Sequence, residues 1–496
     1  MRGLNRHKLP SSPGLHRQLA PVLLLGLAAA CAGGQSRGLQ GSRETRPNML
    51  VIYVDDLRAD ALSATGNPWI KTPHLDRLAA EGLVCTNSFV TTSLCCPGRV
   101  SVLTGKYAHA TGVTDNQPKR DFQDRHRTFV DQLDEDGYET AFIGKWHLPN
   151  PEASPQRGFD HWVSFEGQGE YFDPLLNIDG ARVQSTGHNA DVLTDRALGW
   201  LEGHAGARDP FFLFLSYKNC HTPWDPPLRH RGLLDDVDIP LPASFNDDPD
   251  ELPTAWRASR LSRRNRGAHP HPEYYAAVVR RYHELIMGVD ESVGRVLELL
   301  ESRGVLDETL VLFTSDNGYL LGEHGFIQKG HSYEPSMRVP LILRYPAVIP
   351  AGSLSSRAAL NVDIAPTLLS LAGLDIPEDV QGVDLAPLWQ AQDDKGPRNW
   401  REWFLYIAPW FQDNGAPREL ALHSERWKYV RFLEDTPSEA LFDLLHDPGE
   451  RVNLARGALS EGAADILARA RTAMRAEMKR LGVPAAWFDG QGAARL

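Results

Sequence analysis

Continuous apolar runs separated by amphipathic stretches dominate the first three quarters of the chain. Three runs, at 48–56, 211–218 and 309–318, are almost entirely apolar and end in polar or charged residues. Such runs are typical of strands buried on both faces of a parallel sheet. Residues 274–304 carry apolar side chains at helical spacing, which predicts one long amphipathic helix. Shorter helices are predicted at 72–82, 128–137, 188–202 and 361–373, and further strands at 139–146 and 337–345.

The pattern changes in the last quarter of the chain. A polar stretch at 391–400 is followed by alternating apolar and polar residues at 420–433, which predict strands, and by an amphipathic helix at 463–481. We therefore expect a large domain at 47–375 and a C-terminal subdomain at 376–496. No residue of this subdomain suggests a chemistry by its sequence alone.

Length and charge limit the classes of function. The chain has 496 residues with 42% hydrophobic content, enough for one large core and a smaller one. Its net charge is −12 and it contains no long basic stripe, which argues against nucleic acid as a main partner. A local basic pocket can still bind a polyanion, so the net charge does not exclude an acidic substrate.

The N-terminus has the features of an export signal. Basic residues precede an apolar run at 19–30, and Cys31 follows it, which predicts a signal peptide over 1–31 that is too short to span a membrane. The letters L-A-A-A-C resemble a bacterial lipobox, so we expect Cys31 to carry a lipid, with plain cleavage after Ala30 as the alternative. Residues 32–46 predict a flexible tether. The expected location is periplasmic or cell-surface, as a membrane-anchored lipoprotein or otherwise a secreted protein.

Pairs of oxygen-bearing side chains follow two of the apolar strands. Asp55 and Asp56 end the first run, and Asp316 and Asn317 end the third. Ligands gather at the carboxyl ends of strands in open α/β sheets, and adjacent carboxylates in a pocket are costly unless a cation neutralises them. Four such oxygens suit Ca²⁺ or Mg²⁺ rather than Zn²⁺, whereas two solvated turns are the alternative.

The segment at 95–105, C-C-P-G-R-V-S-V-L-T-G, combines a thiol, a helix start and a permanent positive charge. Pro97 suits the first turn of a helix, whose free N–H groups and positive dipole end would then lie beside Cys95. Arg99 adds a planar donor fork, so the site suits a tetrahedral oxyanion. For these residues alone, a buried structural cysteine before an ordinary helix is the alternative.

Two further stretches bring a cation and imidazoles to strand ends. Lys145 and His147, in G-K-W-H-L-P, are two residues apart and would share one face of an extended strand. Such a pair suits sulfate binding and proton transfer. His221 lies just past the run at 211–218. Taken singly, residues of these kinds are more often structural.

Together these motifs resemble the sulfatase family. The segment at 95–105 matches its signature, Cys-x-Pro-x-Arg followed by three residues and Leu-Thr-Gly. Further family elements follow in the same order: Asp55-Asp56, Gly-Lys-x-His at 144–147, His-x-Pro at 221–223, Ser-Asp-Asn-Gly at 315–318, and Lys329 ahead of a Tyr-Glu pair. The resemblance spans about 47–455 and is nearest to the arylsulfatase and glucosamine 6-sulfatase branch. It implies an alkaline-phosphatase-like α/β sandwich with a large mixed, mostly parallel central sheet, and a smaller C-terminal domain that holds an antiparallel sheet.

The resemblance also implies a chemistry. In sulfatases a formylglycine-generating enzyme oxidises the cysteine at the position of Cys95, and the hydrated formylglycine attacks the sulfate sulfur and later expels sulfate. The family's metal, Ca²⁺ with Mg²⁺ as the alternative, would be held by Asp55, Asp56, residue 95, Asp316 and Asn317. Gly98 departs from the usual Ser or Ala, and this puts the efficiency of the modification in question.

Roles for the remaining motif residues follow from the same resemblance. Arg99 and Lys145 would steady the hydrate, and Lys145, His221 and Lys329 would bind sulfate oxygens. His147 would take a proton from the second hydroxyl, and His221 or Lys329 would protonate the leaving alcohol. The substrate would be a sulfated small molecule or glycan, and the loops at 157–180 and 225–272 would shape its pocket.

Three other functions stay open from the sequence. Phosphonate monoester and phosphodiester hydrolases of the same superfamily can share the signature and the formylglycine. A non-catalytic surface lipoprotein that binds sulfated glycans would leave Cys95 unmodified. A Cys–His hydrolase would use an unmodified thiolate, a scheme in which the four-oxygen set has no place. Modification of Cys31 and Cys95 would leave three of five cysteines, which is no disulfide framework, although a Cys85–Cys220 bridge stays possible.

Overall fold

The computed structural model describes residues 46–116, 122–248, 252–258, 271–391, 393, 396–408, 417–433 and 438–488. The predicted signal peptide over 1–31 and the tether up to residue 45 lie outside the described residues, as does Cys31. Within the described ranges, no helix combines the length and the apolar character needed to cross a membrane.

A ten-stranded mixed sheet forms the centre of the large domain. Its strands, in spatial order, are β13 (Ser353–Ser355), β2 (Leu83–Cys85), β12 (Leu341–Arg344), β9 (Thr309–Ser315), β1 (Asn48–Val54), β8 (Phe211–Tyr217), β4 (Glu139–Gly144), β5 (His161–Ser164), β6 (Leu175–Ile178) and β7 (Ala181–Gln184). The five strands from β9 to β5 run parallel, and the flanking pairs are antiparallel except β13 with β2. The predicted mixed, mostly parallel sheet is confirmed.

Helices cover both faces of this sheet. The helices between residues 73 and 390 are α1 (Pro73–Ala80), α2 (Cys95–Thr104), α3 (Ala108–Thr111), α4 (Phe129–Glu135), α5 (Asn189–His204), α6 (Thr254–Ala258), α7 (Pro272–Ser302), α8 (Glu334–Met337), α9 (Ile364–Ala372) and α10 (Ala386–Gln390). Successive residues of a strand point to opposite faces. Leu50 and Ile52 accordingly lie in the apolar cluster with α1, α5 and α7, whereas Met49 and Val51 lie in the cluster with α2, α4 and α9. This two-layer cover makes every residue from Met49 to Val54 inaccessible to water.

The C-terminal part of the chain builds a separate four-stranded antiparallel sheet. It contains β15 (Phe404–Ala408), β16 (Glu419–His423), β17 (Trp427–Phe432) and β18 (Ser438–Asp443), paired in chain order. A long helix, α11 (Glu461–Leu481), and the short α12 (Ala485–Phe488) share an apolar cluster with this sheet. The same cluster includes Phe89, Leu94 and Tyr333 from the large domain, so apolar contacts join the two parts.

Two small two-stranded sheets complete the set of described strands. They are β3 (Ser88–Phe89) with β14 (Ala359–Leu360), and β10 (Leu320–Leu321) with β11 (Ile327–Gln328). The strand predicted at 337–345 is observed only at Leu341–Arg344. Met337 instead ends the short helix α8, which has Pro335 in its first turn. The predicted loop at 225–272 contains the helix α6, whose Trp256 is fully buried. Cys85 and Cys220 are buried free thiols, so the possible bridge between them is absent.

Candidate active site

Two adjacent parallel strands, β1 and β9, deliver the four oxygen-bearing residues to one edge of the sheet. Val54 and Ser315 are register partners, so Asp55 and Asp56 leave β1 beside the point where Asp316 leaves β9. The backbone N–H of Asp56 donates to Asp316 Oδ1 over 3.0 Å, and Asn317 Nδ2 donates to Asp56 Oδ1 over 2.6 Å. These bonds bring the two strand ends into one site.

The donor set at these strand ends fits a hard cation. Carboxylate oxygens of Asp55, Asp56 and Asp316 lie within 4.8 Å of one another. Asp56 Oδ2 and Asn317 Oδ1 are buried and have no hydrogen-bond partner among the described residues. Burial, together with the negative charge of Asp55, raises the pKa of Asp316 to about 7, which reflects the cost of crowding buried carboxylates. Both of these unpaired atoms are oxygens, and oxygen ligands fit Ca²⁺ or Mg²⁺.

Cys95 is the first residue of α2, and the helix holds it against this carboxylate cluster. Its Sγ lies 2.8 Å from Lys329 Nζ and 3.5 Å from Asp55 Oδ1. Burial and the charge of Asp55 raise the pKa of the Cys95 thiol well above its usual value. The unmodified residue is therefore a thiol rather than a thiolate at neutral pH, which argues against the Cys–His hydrolase scheme.

Arg99 lies one turn along α2 and joins the helix to the ends of three strands. Its Nη2 donates to Asp316 Oδ2 over 2.9 Å, and its Nη1 donates to Ser216 Oγ over 2.9 Å and to the carbonyl of Lys145. The guanidinium is almost completely buried and remains charged next to the carboxylates. Arg99 thus fixes the orientation of the strand end that carries Asp316 relative to Cys95.

Lys145 and His147 both reach the site, although not as neighbours on a strand. The strand β4 ends at Gly144, and His147 has a φ of 56°, so the extended geometry expected for the pair is wrong. The two side chains meet through Gln168: Lys145 Nζ donates to Gln168 Oε1 over 2.6 Å, and Gln168 Nε2 lies 3.0 Å from His147 Nε2. Lys145 also forms a buried ion pair with Asp55.

Charges around these groups shift their proton affinities. Burial, followed by the cations Lys145 and Arg99, lowers the pKa of His147 well below its usual value. Burial alone would raise the pKa of Asp55, but Lys145 and His221, with further cations, hold it well below its ordinary range. The site therefore holds a carboxylate that stays ionised beside an imidazole that stays neutral.

His221 follows β8 and faces the carboxylate cluster. Its Nε2 is 3.9 Å from Asp56 Oδ2, and its carbonyl accepts a hydrogen bond from Tyr171 Oη. Burial and the charge of Lys145 lower its pKa to about 4. The ring of Tyr171 also lies 4.7 Å from the ammonium of Lys218. Tyr171 therefore supports the backbone that carries His221.

Lys329 enters the site from the segment after β11. Its ammonium pairs with Asp56 and contacts Cys95, so all the residues predicted for catalysis and metal binding lie around one buried centre. His324 and His331 lie behind it, where His324 stacks on Tyr333 at 4.1 Å and His331 packs against Phe326 at 4.8 Å.

Sequence reasoning left Gln168 without a role, and the structure places it between two predicted catalytic residues. It sits in an irregular turn between β5 and β6, in a stretch where Ser164, Gln168 and Tyr171 match no motif. Ser164 instead donates to the carbonyl of Gly144 within the sheet. An amide in a loop gives no periodic signal in the sequence, so only the coordinates show which of these three residues contacts the predicted catalytic residues.

Comparison with known proteins agrees with the motifs. The family model described as Sulfatase matches residues 47–374, and the model described as N-sulphoglucosamine sulphohydrolase, C-terminal, matches residues 322–477. An N-acetylglucosamine-6-O-sulfatase of Bacteroides thetaiotaomicron is 33% identical, with 88% of this chain and 86% of that protein covered. The N-acetylglucosamine-6-sulfatase of Homo sapiens is 28% identical, with 77% and 72% covered.

Solved structures show the same architecture. The structure of BT4656 in complex with its substrate D-glucosamine-2-N,6-O-disulfate has a TM-score of 0.82 and 30% identity, and it covers 89% of this chain and 99% of that one. The phosphonate monoester hydrolase of Agrobacterium radiobacter has a TM-score of 0.67 at 24% identity, covering 87% and 96%, and is similar in fold. The alkaline-phosphatase-like sandwich is thereby confirmed. With a matching family model over two thirds of its length, this chain belongs to the sulfatase family of sulfuric ester hydrolases.

Proposed function

We propose that this enzyme hydrolyses a sulfate ester on a sulfated carbohydrate, using a formylglycine made from Cys95 and a bound Ca²⁺. The observation that carries the proposal is the contact of Cys95 with Lys329 and Asp55 at the edge of the four-oxygen cluster. The carbohydrate part is supported by the relatives named N-acetylglucosamine-6-sulfatases and by the related structure that holds a glucosamine disulfate.

The cations of the site account for binding of the sulfate group. Lys145 and Lys329 lie on either side of the carboxylate cluster, and both ammonium groups are buried. With His221 they offer donors to sulfate oxygens, where a fixed charge in a dry pocket acts more strongly than in water. Arg99 lies on the same helix as residue 95 and donates two hydrogen bonds to Asp316, so it would hold the distance between these two residues while the substrate binds.

His147 is the group proposed to accept a proton. It is neutral in this environment, and Gln168 holds its ring at Nε2. A neutral imidazole is able to accept a proton from a hydroxyl of the modified residue 95, and His147 would do so at Nε2 once the amide of Gln168 no longer donates to that nitrogen. The leaving alcohol would take its proton from Lys329 or His221.

The two absent groups supply complementary chemistry. Ca²⁺, held by Asp55, Asp56, Asp316 and Asn317 together with residue 95, would polarise the sulfate oxygens when bound. Formylglycine at residue 95 would supply the nucleophilic hydroxyl, and its formation requires a formylglycine-generating enzyme as a partner. The residues that would hold both groups lie on α2 and at the ends of β1 and β9.

Export to the periplasm or the cell surface is part of the proposal. The support is the N-terminal sequence, with a signal peptide over 1–31 and a lipidated Cys31. Radiolabelled fatty acid should be incorporated by the full-length chain, and a Cys31→Ser chain should be released from the membrane. If the gene for the full chain instead yields unlabelled protein that begins at Cys31 and is found in the soluble fraction, plain cleavage after Ala30 would be favoured.

The mass of the peptide that contains residue 95 tests the mechanism first. Protein made in a host with the modifying enzyme should show sulfur replaced by oxygen, as aldehyde or hydrate. A glucosamine 6-sulfate substrate should then release inorganic sulfate. An intact thiol, in a host that modifies other sulfatases, would reject the proposed nucleophile.

A phosphonate monoester or phosphodiester hydrolase is the second possibility, since a protein of that activity shares the fold. The same purified enzyme should be assayed on sulfate monoesters, phosphodiesters and phosphonate monoesters. The proposal expects the highest kcat/KM on the sulfate ester. A higher kcat/KM on a phosphodiester or phosphonate would replace it.

A further inference from the structure

The loop that carries Lys329 is held by buried side chains from the C-terminal sheet. Glu419 on β16 accepts the backbone N–H of Ser332 over 2.6 Å, and Lys428 on β17 donates to the carbonyl of Ser332 over 2.7 Å. Glu450, beyond β18, accepts the backbone N–H of Glu334 over 2.7 Å. Three backbone groups within six residues of Lys329 thus bond to side chains of the other subdomain.

These side chains form one cluster of ionisable groups away from water, which we call the Glu419–Lys428–Glu450 cluster; burial raises the pKa of Glu419 to about 8 and that of Glu450 to about 7. The side chains of Glu419 and Lys428 are completely buried, and that of Glu450 is nearly so. Lys428 Nζ also pairs with Glu450 over 2.7 Å and with Glu334 over 2.8 Å. Burying such charges is costly unless each has several partners, and here every carboxylate accepts backbone or lysine donors.

The insertion that contains α6 joins the same cluster. Trp256 Nε1 donates to the second oxygen of Glu419 over 2.8 Å, and its ring lies 3.9 Å from that of Tyr333 and 5.5 Å from that of Phe432. Glu419 therefore bonds simultaneously to the insertion and to the Lys329 loop. A simple packing contact between subdomains would need apolar surface, not a buried carboxylate with both oxygens occupied.

We infer that the Glu419–Lys428–Glu450 cluster consists of positioning residues that set the location of Lys329, and through it the binding of the sulfate group. This inference rests on the proposed role of Lys329. It assigns to the C-terminal subdomain a part in the reaction. Displacements of about 1 Å at a reacting centre cost up to about 100-fold in rate, so a small shift of this loop would be measurable.

Glu419→Gln is the sharpest perturbation because it keeps the shape of the side chain. The new amide must point its NH₂ group at the N–H of Ser332 or of Trp256, which removes one of the two bonds. We expect kcat/KM for an activated aryl sulfate to fall by about tenfold to 100-fold. Glu439→Gln is the matched control, because it makes the same change on β18 of the same sheet, where the carboxylate bonds to Arg431 and Arg471.

A double-mutant cycle separates positioning from general destabilisation. If Glu419 acts through Lys329, Glu419→Gln should cost far less in a Lys329→Ala background than in the wild type. Equal costs in both backgrounds, or equal losses in Glu419→Gln and Glu439→Gln, would overturn the inference while leaving the proposed function intact. A Lys329→Ala enzyme with undiminished activity would instead remove the proposed role of Lys329 and the inference with it. If Glu419→Gln does not fold, Glu450→Gln enters the same cycle, because it weakens the bond to the N–H of Glu334.

Discussion

Gly98→Ala should impair this enzyme even though Ala or Ser is usual at that position of the signature. A Cβ built on Gly98 would lie 2.4 Å from the carbonyl oxygen of Asp316. The helix α2 and the end of β9 would have to separate by at least about 0.6 Å to reach a tolerable contact. Because Cys95 begins this helix and Asp316 follows β9, the separation would alter the geometry of the site directly.

The expected magnitude follows from two opposing effects. Ala in place of Gly favours a helix by about 0.5–1 kcal/mol, whereas forced overpacking costs about 1–3 kcal/mol. The net loss of stability should be about 0–2.5 kcal/mol, and kcat/KM should fall by about tenfold or more because the site is displaced. Gly199→Ala in α5 is the control, since a Cβ at this position meets nothing within 4 Å. This substitution should stabilise the protein slightly, because Ala favours a helix over Gly.

The assay must separate catalysis from the modification of Cys95. Intact mass gives the fraction of formylglycine in each variant, kcat/KM is divided by that fraction, and Tm reports stability. A Gly98→Ala enzyme with wild-type Tm and wild-type normalised kcat/KM would refute the steric reasoning. A normal normalised kcat/KM with a low formylglycine fraction would place the role of Gly98 in recognition by the modifying enzyme.

Four further predictions address the nucleophile, the metal, the loop amide and a buried histidine. Cys95→Ala should abolish sulfate release with little change in Tm, and retained turnover would exclude residue 95 as the nucleophile. Chelation by EGTA should lower Tm and activity, and Ca²⁺ at 100 times its Kd should restore about 3 kcal/mol of stability; a Tm indifferent to both would reject the cation site. Gln168→Leu should reduce kcat/KM more than the same change at exposed Gln184, because only the former contacts Lys145 and His147. Burial lowers the pKa of His283 to about 4, so the unfolded chain binds this proton at a higher pH than the folded chain does; this histidine should account for about 3 kcal/mol of the stability lost as pH drops from about 6.5 to about 4, and His283→Gln should make Tm fall less steeply over that window than in the wild type.

The sequence was informative where buried strands end in polar residues. Continuous apolar runs located β1, β8 and β9, because a strand covered on both faces has no polar side to interrupt the run. Motif residues sit directly after such strands, so Asp55, Asp316 and His221 could be placed at one sheet edge before any coordinates were known. At these residues the sequence pattern and the position in the folded chain agree.

The sequence was silent where contacts join distant segments through irregular backbone. His147 was assigned to an extended strand, but its φ of 56° reorients the side chain, and nothing in G-K-W-H-L-P encodes this turn. In the Glu419–Lys428–Glu450 cluster, Glu419 and Lys428 lie on strands whose sequences resemble those of ordinary amphipathic strands, and Glu450 follows β18. The sequence does not distinguish a buried charged residue from an exposed one. Pairing across more than 80 residues, as between Ser332 and Glu419, leaves no periodic trace.

The burial of α2 has a consequence for the order of events in biosynthesis. Every residue from Cys95 to Thr104 is buried in the folded chain. The proposed modifying enzyme would have to reach the Cys95 thiol, which the folded chain shields completely from solvent. On the proposed mechanism, oxidation of Cys95 would therefore come before the sheet and its helices close around α2. Folded protein with an intact thiol would then stay unmodified when the enzyme is added later, whereas unfolding and refolding in its presence would allow the modification.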